Sequence, residues 1–412
     1  MTSHAGNERL RTYAELLLKV GVNLQPGQKL LLRTSTEALE LSHIVVELAY
    51  KMGSPFVEIM WSDDSATRSR FLHGPEGSFA NISTHRAQMM VDLAKEGAAS
   101  LTIDATDPDM LSGIDPKRMS TYLAAWRPNL RPYYDMAMND VIPWCVAAAA
   151  SPAWAQRVFP QLSAAAAVDK LWDAIFDATR VTTADPVAAW REHAEVLLKA
   201  KSGLNAKRYQ ALHFTGPGTD LRVGLADGHK WDGGDSCSAA GNRFIANMPT
   251  EEVFTAPHRA HVDGVVRATK PLAHNGTVID DFELRFENGA VVEARAGNGQ
   301  QALDEILATD AGARRLGEVA LVPASSPIAK TGVLFYETLF DENAACHIAL
   351  GKAYGVTVEG SSGMNDEEKL AVGMNDSLAH VDFMIGSAEI DVDGELHDGS
   401  VEAVMRAGEW VN

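Results

Sequence analysis

The segment 335–354, FYETLFDENAACHIALGKAY, carries one histidine, His347, set among small and apolar residues directly beside Cys346. An imidazole in such a place is either a core histidine with its hydrogen bond satisfied or a metal ligand, and the segment alone does not decide. Partners have to come from elsewhere in the C-terminal half. LAHVDFMIG places His380 two residues before Asp382. Side chains alternate across a strand, so positions i and i+2 share a face, and a His-x-Asp strand can aim an imidazole and a carboxylate at one ion. On its own the motif is short, and a His–Asp hydrogen bond or an exposed pair accounts for it more readily than a metal site does. Two glutamates stand in unusual surroundings. Glu252 lies in NMPTEEVFTAP between Pro249 and Pro257, and Glu318 in RRLGEVALVP enters a run of four apolar residues. A carboxylate entering a buried strand needs a partner, because burying it unpaired is costly. A surface glutamate, or one paired with lysine, is the alternative for each.

Two local geometries compete for His347. As a strand, CHIALG turns Ile348 and Leu350 to the core and leaves His347, Ala349 and Gly351 on the other face, where small residues make room for an ion or substrate. A bend at Gly351 then returns the chain to Tyr354. As a helix, the segment puts Tyr354 on the face of His347, seven residues and about two turns later. The strand is the preferred reading.

These residues need a scaffold, and its pattern changes midway along the chain. After a first helix over 7–20, PGQKLLLRTS reads as turn then strand. TEALELSHIVVELAYKMG has helical periodicity and ends at Gly53, a stop signal, and SPFVEIMW is a second strand. The unit recurs in RAQMMVDLAKEG followed by AASLTIDATDP. This alternation predicts a parallel sheet covered by helices. Helices fit VDKLWDAIFDATRV and PVAAWREHAEVLLKAKSG, and a boundary follows between 203 and 209. The expected fold is an α/β domain over 1–205 with a mostly parallel sheet, then an α+β domain over 206–412 with mainly antiparallel strands that carries the metal site. In the second half HNGT, ENGA and VDGE read as hairpin turns. LRFENGAVVEARAG is the clearest hairpin, and QQALDEILATDAGARRLG after it is a helix. GPGTD and WDGGD read as turns, and there is no GxxxxGK[ST] phosphate loop. His258 and His261 read as a polar strand face. The acidic stretch 363–377 lacks the alternating ligand ladder of a calcium loop and reads as a solvated loop.

A chain of 412 residues is too long for one ordinary core, which favours two domains, with three as the alternative. Its net charge of −19 repels nucleic acid and anionic membrane surfaces, so neither is expected as a partner. Cys145, Cys237 and Cys346 are odd in number, far apart and without a CxxC, which argues against a disulfide scaffold and a thiolate zinc site. The N-terminus lacks the basic start and apolar run of a signal peptide, and no stretch reaches the 18 or so apolar residues of a membrane span. A cytoplasmic protein is expected.

NMPTEEVFTAP, GEVALVP, TLFDENAACHIALGKAY and LAHVDFMIG, in that order and spacing, resemble the thermophilic aminopeptidase family, peptidase family M29, which includes aminopeptidases T and S. PGQKLLLR and TGPGTDL also fit, so the resemblance spans essentially the whole chain. It implies that the family's metal-binding carboxylates fall on Glu252 and Glu318, its histidine ligands on His347 and His380, its aspartate on Asp382 and its active-site tyrosine on Tyr354. Glu342, in FDEN, is a further candidate ligand. It also implies a two-domain subunit, a homodimer, two divalent metal ions and removal of N-terminal residues from peptides. In that light His347 sits among small residues because the site needs neutral imidazole and open space. Cys346 is the neighbour pointing the other way, a small buried hydrophobe.

Three or four carboxylates and two imidazoles suit two divalent cations at about 3.5–4 Å with one carboxylate bridging. Mixed oxygen and nitrogen donors suit Zn, Co or Mn, with Mg a further option, and the lack of thiolates argues against a closed structural zinc. The expected activity is that of a metallo-aminopeptidase. Glu318 is expected as bridging ligand and proton guide, and Tyr354 as a hydrogen-bond donor to the oxyanion. Two rivals remain. Another metal-dependent amidohydrolase, acting on a small amide, would use the same ligands without needing a free N-terminus. A metal-stabilised assembly protein would need a closed coordination shell, for which a carboxylate-rich set is a poor choice.

Overall fold

In the computed structural model, residues 4–274 and 277–411 are described. The chain divides into two compact units: Met1–Ala194 with Asp235–Pro249, and Glu195–Gly234 with Thr250–Asn412.

The first unit is built on five parallel strands. These are β1 (Leu30–Ser35), β2 (Val57–Ser62), β3 (Ala99–Asp104), β4 (Trp144–Ala148) and the two-residue β5 (Asn247–Met248), in the spatial order β2-β1-β3-β4-β5. Helices connect them. Leu39–Lys51 buries Leu41, Val45 and Leu48, and Thr84–Lys95 buries Ala87, Met90, Val91 and Ala94. That spacing makes one apolar stripe per helix, which can be shielded from water only against the sheet. The unit is α/β, as the strand–helix alternation implies.

The second unit is antiparallel. Its larger sheet has nine strands, among them the hairpin Ala211–Gly216/Thr219–Leu225 and the hairpin Thr277–Glu287/Ala290–Asn298. The latter turns at Asn288-Gly289, where both residues have positive φ, as an Asn-Gly hairpin turn requires. Its smaller sheet has four strands, β6 (Val253–Thr255), β7 (Leu316–Leu321), β8 (His347–Gly351) and β9 (His380–Met384), paired antiparallel in that order. One face of the small sheet sends Val319, Leu321, Ile348, Leu350, Val381 and Phe383 into the unit's hydrophobic core. The alternation of strand side chains leaves the other face for polar residues.

Two readings of this half need correction. The Asp-Gly of VDGE is no turn: residues 393 and 394 lie inside the strand Asp391–Glu395. A Cβ on Gly394 would sit 2.4 Å from the Tyr209 ring, so the glycine admits a packed aromatic. The stretch 363–377 is not simply a loop. It contains the helix Asp366–Ala371, opened by a capping box in which Asn365 and Glu368 satisfy each other's backbone N–H groups. The HNGT turn falls at 275–276, outside the described residues.

Candidate metal centre

The register of the small sheet decides which side chains meet. Glu318 on β7 lies opposite Ala349 on β8, and Ala349 lies opposite Asp382 on β9. Directly opposed residues share a face, so the two carboxylates converge across a single methyl group. His347 shares that face with Ala349, two residues on, and His380 shares it with Asp382. His380 is opposite Gly351, whose φ is +110° and where a Cβ would lie 2.1 Å from the Ala379 carbonyl oxygen. Only glycine fits there. The chain bends at this residue and delivers Tyr354, whose ring centroid is 4.6 Å from that of His380. Glu252 arrives from the residue before β6.

The side chains form two overlapping triads. Glu252, Glu318 and His347 make one, and Glu318, His380 and Asp382 the other, each with donor atoms within 4.8 Å of one another. His347 Nε2 is 3.1 Å from Glu252 Oε2 and 3.5 Å from Glu318 Oε1. His380 Nε2 is 3.7 Å from Glu318 Oε2 and 3.4 Å from Asp382 Oδ1. The Glu318 carboxylate therefore offers one oxygen to each triad.

Both histidines are held alike. His347 Nδ1 lies 3.2 Å from the Ala345 carbonyl and His380 Nδ1 lies 2.8 Å from the Lys352 carbonyl. A backbone acceptor at Nδ1 keeps a proton there and turns Nε2 toward the carboxylates, the arrangement typical of metal-ligating imidazoles. Glu252 Oε2, Glu318 Oε2, His347 Nε2 and Asp382 Oδ1 are all buried and make no hydrogen bond. Each such group left unsatisfied costs about 1–3 kcal/mol. Four of them facing one place fit the coordination of cations.

The electrostatics have the same origin. Burial, then the charges of Asp382 and Glu252, push the Glu318 carboxyl up to about 7 against the pull of His347. Burial would lower His347, but the adjacent Glu252 and Glu318 carboxylates carry it well above the usual imidazole range. His380 resists the same burial penalty through Asp382 and rises to about 9. For Asp382, burial would raise the carboxyl, but His380 pulls it below the usual carboxylate range. Burial and the surrounding carboxylates hold the Tyr354 phenol far above its ordinary value, so it stays a proton donor. At 36% exposure it is also reachable from solvent.

Glu342 is the one candidate ligand outside both triads. It borders a small cleft together with Asp382, Glu337 and Asp341, and burial followed by the charges of Glu252 and Asp382 lifts its carboxyl well above normal. Cys346 faces away from the triads. Its sulfur lies 3.3 Å from the Val322 carbonyl and 3.7 Å from Met405 Sδ, and burial raises its thiol to about 11. One residue that the sequence did not single out, Asn343, is fully buried and bonded to the backbone beside Glu252. Its only sequence signal is adjacency to Glu342.

The model of the family described as thermophilic metalloprotease (M29) matches residues 6–410. The chain is 48% identical over 403 residues to Aminopeptidase 2 of Geobacillus stearothermophilus, covering 98% of each chain. It is 46% identical over 407 residues to Aminopeptidase T of Thermus aquaticus, covering 99% of each. Among solved structures, wild-type AmpT from Thermus thermophilus superposes with a TM-score of 0.93 at 44% identity, over 98% of this chain and 99% of that one.

Proposed function

The chain belongs to the M29 thermophilic metalloprotease family, and from that premise we propose that it is a metal-dependent aminopeptidase working through two divalent ions that share Glu318. The observation that carries the two-ion reading is the pair of triads meeting at one carboxylate, with one oxygen directed to each imidazole. Glu252, His347 and Glu318 would hold one ion, and Glu318, His380 and Asp382 the other, with Glu342 as a further ligand. Oxygen and nitrogen donors without thiolate suit Zn, Co or Mn. Such ions, when bound, lower the pKa of water toward about 7 and polarise a carbonyl oxygen.

The chain's own groups supply the rest. Tyr354 keeps its proton and donates a hydrogen bond to the oxyanion that develops on the scissile carbonyl. Glu318, set between the two triads, would also guide the proton of the attacking water. The cleft bordered by Glu337, Asp341, Glu342 and Asp382 is acidic, and this supports selection of a substrate bearing a free ammonium group. Anchoring that end would place the first peptide bond over the centre, and positioning of this kind supplies much of a rate enhancement. A homodimer, supported by the family resemblance, and action in the cytoplasm complete the reading.

The test compares aminoacyl substrates carrying a free amine with their N-acetyl forms, before and after removal and return of metal. The proposal expects hydrolysis of the free-amine substrate only, lost on chelation and restored by Co, Zn or Mn. Efficient cleavage of the acetylated substrate would favour an amidohydrolase. Full activity in protein shown to be metal-free would end the metal reading.

A further inference from the structure

We propose that Asn343 is a positioning residue that ties the chain beside Glu252 to the segment bearing Glu342, and so sets the affinity of the ion on the Glu252–His347 side of the centre. The inference rests on the two-ion reading above. Asn343 is 0% exposed. Its amide oxygen accepts the Glu251 N–H at 2.7 Å, and its amide nitrogen donates to the Leu339 carbonyl at 3.0 Å. Its own carbonyl accepts from the Ser326 hydroxyl at 3.0 Å. One side chain thus joins segments 92 residues apart in sequence. The Glu251 N–H belongs to the residue preceding Glu252, so fixing it fixes the backbone from which the Glu252 carboxylate projects. On the other side of the bond, Asn343 follows Glu342 directly and lies two residues before Ala345, whose carbonyl holds His347 Nδ1. An amide suits this place and a carboxylate does not. Only the amide can accept from one backbone group while donating to another without adding charge beside four acids.

None of these bonds reaches the strand of His380 and Asp382. That side has its own buried amide, Asn375, whose nitrogen donates to the Gly312 carbonyl at 2.8 Å and the Gly351 carbonyl at 2.6 Å. Gly351 is the register partner of His380. Removing either amide strips hydrogen bonds from buried backbone, so both should cost stability. Only the loss at Asn343 should act selectively on the Glu252–His347 ion.

The experiment uses crystals of the full chain equilibrated at limiting zinc. Anomalous scattering measures occupancy separately on the two sides, and thermal unfolding of metal-free protein accompanies it. For Asn343→Ala the expected result is a loss of about 10–100-fold in zinc affinity on the Glu252–His347 side, with the His380–Asp382 side unchanged. Asn375→Ala, with a comparable fall in metal-free melting temperature, should not reproduce that pattern. Equal losses on both sides, no loss on either, or the same selective loss from Asn375→Ala would overturn the proposal. If Asn343→Ala does not fold, Asn343→Ser decides. It stays neutral and keeps a small polar group in the pocket while loosening the bonds to Glu251 and Leu339, so it should show a smaller loss at the same ion, and unchanged occupancy overturns the proposal. A single zinc in the unsubstituted protein would end the two-ion reading and this proposal with it. Two zincs that respond to Asn343 without selectivity would end this proposal alone.

Discussion

The two triads that meet at Glu318 are built differently. The side chains of His347 and Glu252 are 1% and 8% exposed, those of His380 and Asp382 20% and 10%. The inner triad draws on three separated segments of chain. The outer one takes two of its three members from a single strand, two residues apart. Deep burial makes the inner groups costlier to leave without a partner, while the outer groups border solvent and the acidic cleft. On the two-ion proposal, the inner side would hold its ion the more tightly and the outer side would meet substrate and Tyr354.

The largest expected effect comes from the residue that both sides share. Glu318→Gln should lower kcat/KM by about 10³-fold, a loss of the size seen when a positioned acid–base group is removed, and should weaken metal retention on both sides. Retention of two ions by this variant would break the picture of a shared carboxylate. Tyr354→Phe should reduce kcat by about 10²-fold, as loss of one oxyanion donor does. Metal content should be normal and KM little changed. A fall in metal content would make Tyr354 a ligand instead.

What the sequence revealed divides along the same line. The outer pair was legible because strand periodicity alone puts His380 and Asp382 on one face. The inner triad was not, because nothing in the spacing of Glu252, Glu318 and His347 says that β7 pairs with β8 or that the chain before β6 returns to them. The family motifs supplied what the spacing could not. Gly394 misled because Asp-Gly usually marks a turn, whereas here the missing side chain makes room for Tyr209. The acidic run at 366–368 hid a capping box whose Asn365 and Glu368 could have been recognised. The edge strand Asn247–Met248 is too short to leave a pattern, and its partner β4 lies about a hundred residues earlier.

The histidines set a pH window in which two properties move in opposite directions. His380 is raised from 6.5 to about 9, His347 is raised as well, and the Glu318 carboxyl is raised to about 7. Groups with raised values stabilise the metal-free fold below their unfolded values, and that contribution is lost as pH rises through the folded ones. Metal-free protein should therefore melt at lower temperature at pH 9 than at pH 6.5. Over the same span metal affinity should rise, by up to about tenfold per pH unit for each imidazole that must lose its proton. Calorimetry in buffers of different ionisation enthalpy should detect proton release on metal uptake at pH 7. Parallel trends in stability and affinity would contradict the arrangement.

The smallest effect tests whether the outer pair acts as one. His380→Ala and Asp382→Asn should each lower metal content and activity. The double variant should fall within about threefold of the worse single variant, because residues serving one ion are not additive. Fully additive losses with normal metal content would separate the two residues and return His-x-Asp to an ordinary polar pair.

In the proposed mechanism two ions, joined through Glu318, make the activity. Stepwise addition of cobalt to metal-free protein, with bound metal and hydrolysis of a free-amine substrate followed together, tests it most directly. Saturation is expected at two equivalents per chain, with full activity only as the second is bound. Full activity at zero or one equivalent would contradict it.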